Sequence, residues 1–376
     1  MAGGISLAVS LVTTRFLIEA LRRRRIGQPI REEVHQQQTK AGTPTMGGLT
    51  IVAAAVIGYA VAHVRGRVVF TDSGIFVLAL VVGAGLVGFL DDWIKITRAR
   101  NLGLSKRTKV LGLLLVSGVF GWVTVTYTDV STRLSFTRFN SFRPALLLGI
   151  DFGHVGWVLW AVLLIMAATN GVNLTDGLDG LAAGSALFGF ACFTVIGFWA
   201  FRNPDIYRVQ HALDLAVVGS AMLGGCTGFL WWNAHPARIF MGDTGSLAIG
   251  AGLAGMALTL NTQLLLPVVG ALFVVESMSV ILQVFTFRLM DGRRLFRMAP
   301  IHHHYELSGW PENTVIVRFW IIAGLATALA LGIFYADFTS LPTCTPSQAA
   351  QLAAHRGTQE IQELPFACAP AAEAKR

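Results

Sequence analysis

Ten apolar runs, most of them about 20 residues long, dominate the sequence. At a rise of roughly 1.5 Å per residue, about 20 apolar residues in a helix cross the roughly 30 Å of hydrocarbon in a bilayer. The runs therefore predict an all-α, polytopic integral membrane protein with ten transmembrane helices. They occupy residues 3–21, 46–64, 73–90, 110–127, 153–168, 181–201, 214–232, 246–260, 263–287 and 314–338.

The composition excludes an ordinary soluble protein. The 376 residues are 54% hydrophobic and only 13% charged, whereas about a quarter of the residues in a soluble domain are charged. The net charge of +8 would suggest nucleic acid as the partner of a soluble protein. In a membrane protein it instead indicates basic loops that face anionic lipids and substrates, so no nucleic-acid partner is expected.

The distribution of basic residues predicts the orientation in the membrane. One alternating set of loops carries 18 Lys and Arg residues and the opposite set, with the C-terminal tail, carries 10. The richer set is predicted to be cytoplasmic, which places both termini outside. Residues 1–340 are expected to form one membrane domain, followed by a polar, poorly ordered extracytoplasmic tail at 341–376. Whether Cys344 and Cys368 pair in that tail is left open.

Five aspartates lie at the ends of the predicted spans, all on the predicted cytoplasmic side. A single carboxylate at a span end is usually a solvated boundary residue, but five from three separate loops favour a functional site. The sequence thus favours a functional site on the cytoplasmic face. The five are Asp91, Asp92, Asp176, Asp179 and Asp243.

Two of the acidic motifs are typical of cation sites. Asp91 and Asp92 are adjacent, so their repulsion favours a cation or a proton between them; Lys95 is the structural alternative as a neutralising partner. Asp243 lies between Gly242 and Thr244, in a loop suited to oxygen ligation of magnesium. The Asp-Asp pair taken alone favours the structural alternative, whereas the loop around Asp243 suits magnesium.

The segment 170–180 combines carboxylates with neutral polar groups. Asp176 and Asp179 are three residues apart, so one helical turn places both on the same face. Asn173 adds donor and acceptor groups, and Gly177 and Gly180 let the backbone approach a ligand closely. A plain turn rarely contains so many polar groups, which favours substrate binding over a structural turn.

Further candidate residues lie in the remaining predicted cytoplasmic segments and, for Gln283, near the cytoplasmic end of the ninth predicted span. Three consecutive histidines in a basic loop suggest zinc or phosphate binding, but adjacent imidazoles do not easily ligate one ion, and no Cys is near. Attraction of the basic loop to lipid headgroups explains its arginines but not its histidines. The glycine-rich stretch after Lys40 is not a Walker A loop, because the Gly-Lys-Ser/Thr ending is absent. The candidates are Lys40, Asn233, Phe240, Gln283, His302, His303 and His304.

Taken in order along the chain, these motifs resemble those of the phospho-N-acetylmuramoyl-pentapeptide transferases, the MraY enzymes of bacterial cell-wall synthesis. The resemblance runs from about residue 31 to residue 338 and does not cover the tail. The motifs that carry it are Lys40 with Gly-Thr-Pro-Thr-Met-Gly-Gly, the Asp-Asp pair, Asn-Leu-Thr-Asp-Gly-Leu-Asp-Gly from Asn173, Phe-Met-Gly-Asp-Thr-Gly-Ser from Phe240, and His-His-His-Tyr-Glu from His302.

The resemblance implies a ten-helix enzyme of the bacterial inner membrane, usually a homodimer, with its catalytic cleft on the cytoplasmic face. The implied reaction transfers phospho-MurNAc-pentapeptide from UDP-MurNAc-pentapeptide onto undecaprenyl phosphate, giving lipid I and UMP, with magnesium. This is the first membrane step of peptidoglycan synthesis.

The resemblance also implies roles for individual residues. Asp243 is the implied magnesium ligand, and Asp91 and Asp92 serve the lipid phosphate or its deprotonation. The implied substrate-binding groups are Asn173, Asp176, Asp179 and Asn233 around the uridine and phosphates, Phe240 and Gln283 at uracil, and Lys40 with His302, His303 and His304 at the pyrophosphate. Lys95 and a basic residue near Arg107, the best-aligned position, complete the set; Lys106 and Lys109 are alternatives to Arg107.

Several alternatives stay open at this stage. A related transferase that moves GlcNAc-1-phosphate onto a polyprenyl phosphate would share the aspartate motifs, although the histidine box favours the MurNAc-pentapeptide enzyme. A transporter would require charged residues near the middle of the bilayer, and a structural scaffold gives no reason for five aspartates on one face. The sequence also leaves open whether transfer is direct or passes through a phospho-aspartate.

Overall fold

The computed structural model describes residues 1–23, 42–66, 69–98, 103–138, 150–290, 292–355 and 368. Within these residues the regular secondary structure is helical, apart from one isolated antiparallel bridge between Arg133 and Asp151. Lys40 lies outside the described residues. The helices are α1 (Ala2–Arg23), α2 (Gly48–Gly66), α3 (Asp72–Thr97), α4 (Lys106–Tyr127), α5 (Gly153–Thr175), α6 (Leu181–Arg202), α7 (Pro204–Tyr207), α8 (Ala212–Asn233), α9 (Gly242–Thr259), α10 (Leu266–Val269), α11 (Ala271–Leu289), α12 (Ile301–Glu306), α13 (Glu312–Thr339) and α14 (Pro346–Ala354).

Nine of the described helices are long and apolar enough to cross a membrane. They are α1 to α6, α8, α11 and α13. The prediction of an all-α polytopic membrane protein is therefore confirmed. Each of these nine helices overlaps one predicted span, because a sustained apolar run long enough to cross hydrocarbon has few other stable conformations.

The eighth predicted span, 246–260, corresponds to α9, an 18-residue helix that is not among these nine. Its residues from Thr244 to Thr259 are all buried inside the protein, and it packs mainly against α3 and α5. Glycine and alanine fill much of α9, which lets neighbouring helices approach closely. Because protein rather than lipid surrounds this helix, its side chains need not be as apolar as those of a lipid-facing span.

The ninth predicted span, 263–287, is interrupted near its beginning. A short 3-10 helix at Gln263–Leu265 and the one-turn helix α10 precede Gly270, after which α11 begins. Pro267 lies in α10, where it has no backbone N–H to continue a longer helix. Most of α11 is exposed along its length, including Ile281 and Phe285, so this helix presents an apolar surface on the outside of the bundle.

A buried polar cluster joins three helices at the end of the bundle opposite the aspartate motifs. Asp214 at the start of α8 lies 2.8 Å from His63 Nε2 near the end of α2. It also accepts hydrogen bonds from the Tyr59 hydroxyl at 2.9 Å and from the Thr71 hydroxyl at 2.6 Å. Buried polar groups are costly unless they are paired, so this network holds α2, α3 and α8 together.

The described residues of the C-terminal tail, 341–355 and 368, contain a short helix and a disulfide. Thr345 caps α14 with its side chain in a capping box with Gln348. A disulfide joins Cys344 to Cys368, and Leu352 of α14 is buried beside it. The tail is therefore cross-linked around a small helix.

Candidate functional site

Carboxylates from two distant parts of the chain meet at one end of the bundle. Asp91 and Asp92 lie near the C-terminal end of α3, and Asp243 lies at the N-terminal end of α9. One carboxylate oxygen from each lies within 4.8 Å of the others. The helices bring these residues together because α3 and α9 are antiparallel neighbours and α9 begins where α3 ends.

Asp92 is held by the first turn of α9. Its carboxylate accepts hydrogen bonds from the backbone N–H of Asp243 at 3.1 Å and of Thr244 at 2.9 Å, and from the Thr244 hydroxyl at 2.7 Å. The first N–H groups of a helix have no partner inside it and attract an anion. Both oxygens of Asp92 are thus used to hold the start of α9, which fixes the position of Asp243.

Asp243 is surrounded by positive and donor groups. The ammonium groups of Lys95 and Lys109 each lie 2.8 Å from its Oδ2 atom, and the Asn173 side chain donates to its Oδ1 atom at 2.6 Å. Asn173 also donates to the Ser246 hydroxyl at 2.8 Å. The ends of α3, α4 and α5 therefore all supply a side chain to Asp243.

Asp91 shares Lys95 with Asp243. The Lys95 ammonium lies 2.6 Å from Asp91 Oδ2, and the other oxygen of Asp91 accepts a hydrogen bond from the Leu104 backbone at 2.9 Å. Asp91 and Lys95 are four residues apart on α3, a spacing that brings side chains together on a helix. Lys95 thus pairs with Asp91, as the structural alternative expected, and it also pairs with Asp243.

The donor atoms of this cluster fit a divalent cation such as magnesium. Mg²⁺ prefers carboxylate oxygens and usually binds through one or two of them. Asp243 is the most exposed of the three carboxylates and Asp91 lies buried beside it, while Asp92 is occupied by the backbone of α9. The two lysines that lie there show that the carboxylates attract cations.

Asp176 adds a further carboxylate directly after α5. Its side chain is half-buried. Burial and repulsion from neighbouring carboxylates, Asp243 foremost, raise its pKa to about 8. A carboxyl group is destabilised in its charged form when it is desolvated near like charges. A cation placed among these groups would remove that penalty.

Asp179 belongs to a second cluster beside the first. Its carboxylate accepts hydrogen bonds from the Ala237 backbone at 3.0 Å and lies 3.1 Å from His235 Nδ1. Its own backbone N–H donates to Glu312 at the start of α13, at 3.1 Å. The side chains of Asp179, His235 and Glu312 also lie close enough together to hold a metal ion, although their hydrogen bonds already connect them.

The second cluster includes two residues to which the sequence assigned no role. His235 lies in the segment that follows Asn233, so its proximity in the chain was a signal. No local pattern in the sequence pointed to Glu312, because it lies 133 residues from Asp179, its partner in the cluster.

Asn233 connects the same two loops through its amide group. Its oxygen accepts a hydrogen bond from the Gly180 backbone at 3.1 Å, and its nitrogen donates to the Ile239 carbonyl at 2.9 Å. The side chain is 2% exposed. The structure therefore shows a residue that positions the loops, and direct contact between Asn233 and a substrate stays a prediction.

The three histidines lie on α12 in different environments. His302 is 0% exposed, and its Nδ1 atom lies 3.1 Å from a carboxylate oxygen of Glu276, which is equally buried. The other side of the His302 ring faces Gly177, where a Cβ atom would overlap it. His302 therefore supports the loop that carries Asp176, and its burial separates it from solvent.

The other two histidines are partly exposed. His303 Nδ1 lies 2.7 Å from the carboxylate of Glu306, and the backbone N–H of Arg297 donates to His304 Nδ1 at 3.1 Å. The His303 contact lies within α12, and the His304 contact holds the histidine box against the basic loop that precedes it. The predicted contact between these residues and a pyrophosphate stays a prediction.

The described part of the glycine-rich stretch, residues 42–48, lies against the loop that leads into α9. The backbone N–H of Gly47 donates to the Phe240 carbonyl at 2.9 Å, and the N–H of Phe240 donates to the Pro44 carbonyl at 2.8 Å. The N–H groups of Gly47 and Phe240 therefore join the glycine-rich stretch to the loop before α9. Phe240 thus lies beside the cluster, two residues before Gly242.

Gln283 and Arg107 lie apart from the hydrogen-bonded cluster. The Gln283 amide donates to the Phe296 carbonyl at 3.0 Å and accepts from the Phe296 N–H at 2.9 Å. Arg107 is exposed in the first turn of α4, whereas Lys109, two residues later, reaches Asp243. Of the basic residues near position 107, the structure places Lys109 at the carboxylates. The substrate contacts of Gln283 and Arg107 stay predictions.

Comparison with known proteins identifies the family. A model of glycosyl transferase family 4 matches residues 74–261. A signature of the phospho-N-acetylmuramoyl-pentapeptide transferases matches residues 40–52, which contain the glycine-rich stretch and the start of α2.

Curated relatives match almost end to end. A phospho-N-acetylmuramoyl-pentapeptide transferase of Frankia alni is 48% identical over 355 residues, which cover 90% of this chain and 98% of the relative. A protein of the same name from Saccharopolyspora erythraea is 47% identical, over 91% of this chain and 97% of its own, and one from Thermobifida fusca is 49% identical, over 90% and 97%. The chain therefore belongs to the phospho-N-acetylmuramoyl-pentapeptide transferase family, as its motifs predicted.

Proposed function

We propose that this chain transfers phospho-MurNAc-pentapeptide from UDP-MurNAc-pentapeptide to undecaprenyl phosphate, with lipid I and UMP as products. The observation that carries the proposal is the cluster of Asp91, Asp92 and Asp243 with Lys95 and Lys109 at one end of a membrane-helix bundle. The relatives that carry the transferase name support the same reaction. Residues 1–340 act as the catalytic domain.

Both substrates are anions, so the site must offset their repulsion. Asp243 would hold Mg²⁺, which supplies Lewis-acid polarisation and charge neutralisation when bound. Lys95 and Lys109 have ammonium groups in the same place, and they would stabilise the charge on the departing UMP. Asn173 orients Asp243 through its hydrogen bond.

The transfer proceeds by direct displacement. An oxygen of the lipid phosphate attacks the β-phosphorus of the UDP-sugar, a new P–O bond forms, and the bond to the UMP oxygen breaks. Asp91 accepts the proton of the lipid phosphate where one is present. Asp91 suits this role better than Asp92, because Asp92 accepts three hydrogen bonds from the first turn of α9, whereas among the described residues one oxygen of Asp91 is paired only with the partly exposed Lys95 side chain.

The uridine end of the substrate is placed beside this cluster. The loop of Asp176 and Asp179 and the side chain of Phe240 are proposed to bind it, and Lys40 is proposed to contact the pyrophosphate. Asn233 and His302 position that loop from behind, since both are buried. His303, His304, Arg107 and Gln283 are proposed to contact the pyrophosphate and the base when substrate is bound.

The protein is proposed to span the bacterial inner membrane ten times, with both termini outside and the carboxylate cluster at the cytoplasmic face. The excess of basic residues in the loops at the cluster's end supports this orientation. The Cys344–Cys368 disulfide supports it independently, because disulfides persist in oxidising compartments outside the cytoplasm. A homodimer is proposed from the family resemblance.

Thiol labelling of intact cells tests the position of the tail. We expect a membrane-impermeant maleimide to label Cys344 and Cys368 only after treatment with an impermeant reductant. The C344S variant should expose the Cys368 thiol to the reagent without reductant. The buried thiols of Cys192 and Cys226 serve as the unlabelled control. Labelling of the tail only after cell lysis would place the C-terminus inside and contradict the orientation.

The reaction itself is tested by measuring UMP release from the purified full-length protein. We expect release with UDP-MurNAc-pentapeptide and undecaprenyl phosphate together, dependent on Mg²⁺, and little release when the lipid is omitted. UDP-GlcNAc in a parallel reaction separates the two transferase activities. Release from UDP-GlcNAc alone would replace the proposed substrate, and no release from either would contradict the proposal.

A further inference from the structure

We propose that Lys95 and Lys109 are exchangeable counter-ions of the carboxylate cluster. In the metal-free protein they neutralise Asp243, and they leave it for the substrate phosphates when a divalent cation binds. This inference rests on the proposed function, because it requires that Asp243 binds a cation and that the substrate is a pyrophosphate.

The first observation is that both ammonium groups contact one and the same oxygen. Lys95 Nζ and Lys109 Nζ each lie 2.8 Å from Asp243 Oδ2, and Lys95 also lies 2.6 Å from Asp91. An ordinary ion pair needs one cation for each carboxylate. Here two unit charges occupy the position where one divalent ion would be coordinated, so the lysines and a metal ion compete for the same lone pairs.

The second observation is that the lysines are more exposed to solvent than the carboxylates they pair with. The side chains of Lys95 and Lys109 are 26% and 22% exposed, whereas those of Asp243, Asp91 and Asp92 are 14%, 5% and 3% exposed. Lysine carries its charge on a flexible four-carbon stem. Asp92 is fixed by the first turn of α9. The cations therefore lie at the solvent side of a rigid anionic site.

The exchange couples metal binding to substrate binding. When the lysines leave Asp243, two ammonium groups become free beside the place where the phosphates must bind. A metal ion then increases the affinity for a pyrophosphate, and by linkage a bound pyrophosphate increases the affinity for the metal by the same factor. Before the metal binds, the lysines keep the repelling carboxylates neutralised and the site folded.

Metal binding without any substrate tests the exchange. We expect the K109Q variant of the full-length protein to bind Mn²⁺ about tenfold more tightly than the unmodified protein, because one competing ion pair is lost. Free Mn²⁺ is measured by electron paramagnetic resonance in a titration. K109R, which keeps the charge, should remain close to the unmodified protein. K106Q, which removes an exposed charge from the same helix turn, should also leave the affinity unchanged.

Amine labelling of the unmodified protein gives a second measurement that does not depend on the folding of a variant. We expect Mg²⁺ to raise the rate at which a succinimidyl ester labels Lys109 and Lys95 by several-fold, with Lys106 unaffected. Mass spectrometry of the peptides reports each lysine separately.

The outcomes separate this inference from the proposed function. If the unmodified protein binds Mn²⁺ but K109Q binds no more tightly, or if labelling of Lys109 is insensitive to Mg²⁺, the exchange is overturned while the metal site stands. If the unmodified protein binds no Mn²⁺, both the metal site and the exchange are wrong.

Discussion

Replacing Asp243 with Asn is expected to reduce UMP release by about 1000-fold or more, because the site loses both a cation ligand and a charge that orders two lysines. Asn has nearly the same shape, and the Asp243 side chain is partly exposed, so the fold should persist. The bonds from Asp92 to the start of α9 use backbone N–H groups of Asp243 and Thr244 and the Thr244 hydroxyl, which this substitution retains. UMP release from the purified variant is the measurement.

The matched control is Asp72→Asn. Asp72 is an exposed residue in the first turn of α3, at the end of that helix opposite Asp91. Its substitution should leave activity close to that of the unmodified protein. An Asp243→Asn protein that inserts normally and keeps both its activity and its Mg²⁺ dependence would remove Asp243 as the proposed ligand.

The second large effect is expected from Gly88→Ala. Gly88 lies in α3 one turn before Asp92, and α9 begins directly against it. A Cβ atom at position 88 would overlap the carbonyl of Asp243 and the backbone nitrogen of Thr244. Backbone cannot turn aside as a side chain can, so the start of α9 must shift away from α3. Displacement of catalytic groups by about 1 Å costs roughly 100-fold in rate, and overpacking costs about 1–3 kcal/mol of stability.

Activity and thermal unfolding of the Gly88→Ala protein measure these two effects together. Gly118→Ala is the control, because Gly118 lies in α4 with nothing within 4 Å of the position of an added Cβ. That substitution should retain activity and stability. If Gly88→Ala retains full activity as well, the close contact between α3 and α9 does not hold Asp243 in its working position.

Much of the fold could be predicted from hydropathy, and the reasons for the differences are physical. The lipid-facing spans follow from apolar length, since hydrocarbon accepts few other structures. Hydropathy is a weaker guide for a helix that does not face lipid. In α9, small residues and Asp243 lower the mean hydropathy. The break at Gly270 divided a continuous apolar run that hydropathy alone assigned to one helix.

Grouping of the acidic residues on one face was also predictable. Spans that alternate in direction put every second loop on the same side, so the ends of α3 and α5 and the start of α9 had to meet one surface. The sequence did not distinguish the role of Asp91 from that of Asp92. Adjacent residues on a helix point about 100° apart, and only the position of α9 shows which of them is used to hold it.

The basic residue after Lys95 illustrates the same point. Arg107 and Lys109 differ in direction by about 200° around α4, and the alignment of motifs favoured Arg107. The packing of α4 against α3 turns Lys109 toward Asp243 and leaves Arg107 exposed. Burial of both His302 and Glu276 likewise depends on how α11 and α12 pack, which no local pattern in either segment records.

By itself, the sequence determined the membrane class, the approximate spans, the family and the grouping of the acidic motifs at one end of the bundle, because apolar length and alternation of direction are local properties of the chain. The tertiary structure alone decided the partners of each charge: Lys109 for Asp243, Glu312 for Asp179, Glu276 for His302 and α9 for Asp92. These contacts join residues 26 to 152 positions apart. Such pairings depend on which helix faces approach each other, and this is fixed by packing of the whole bundle.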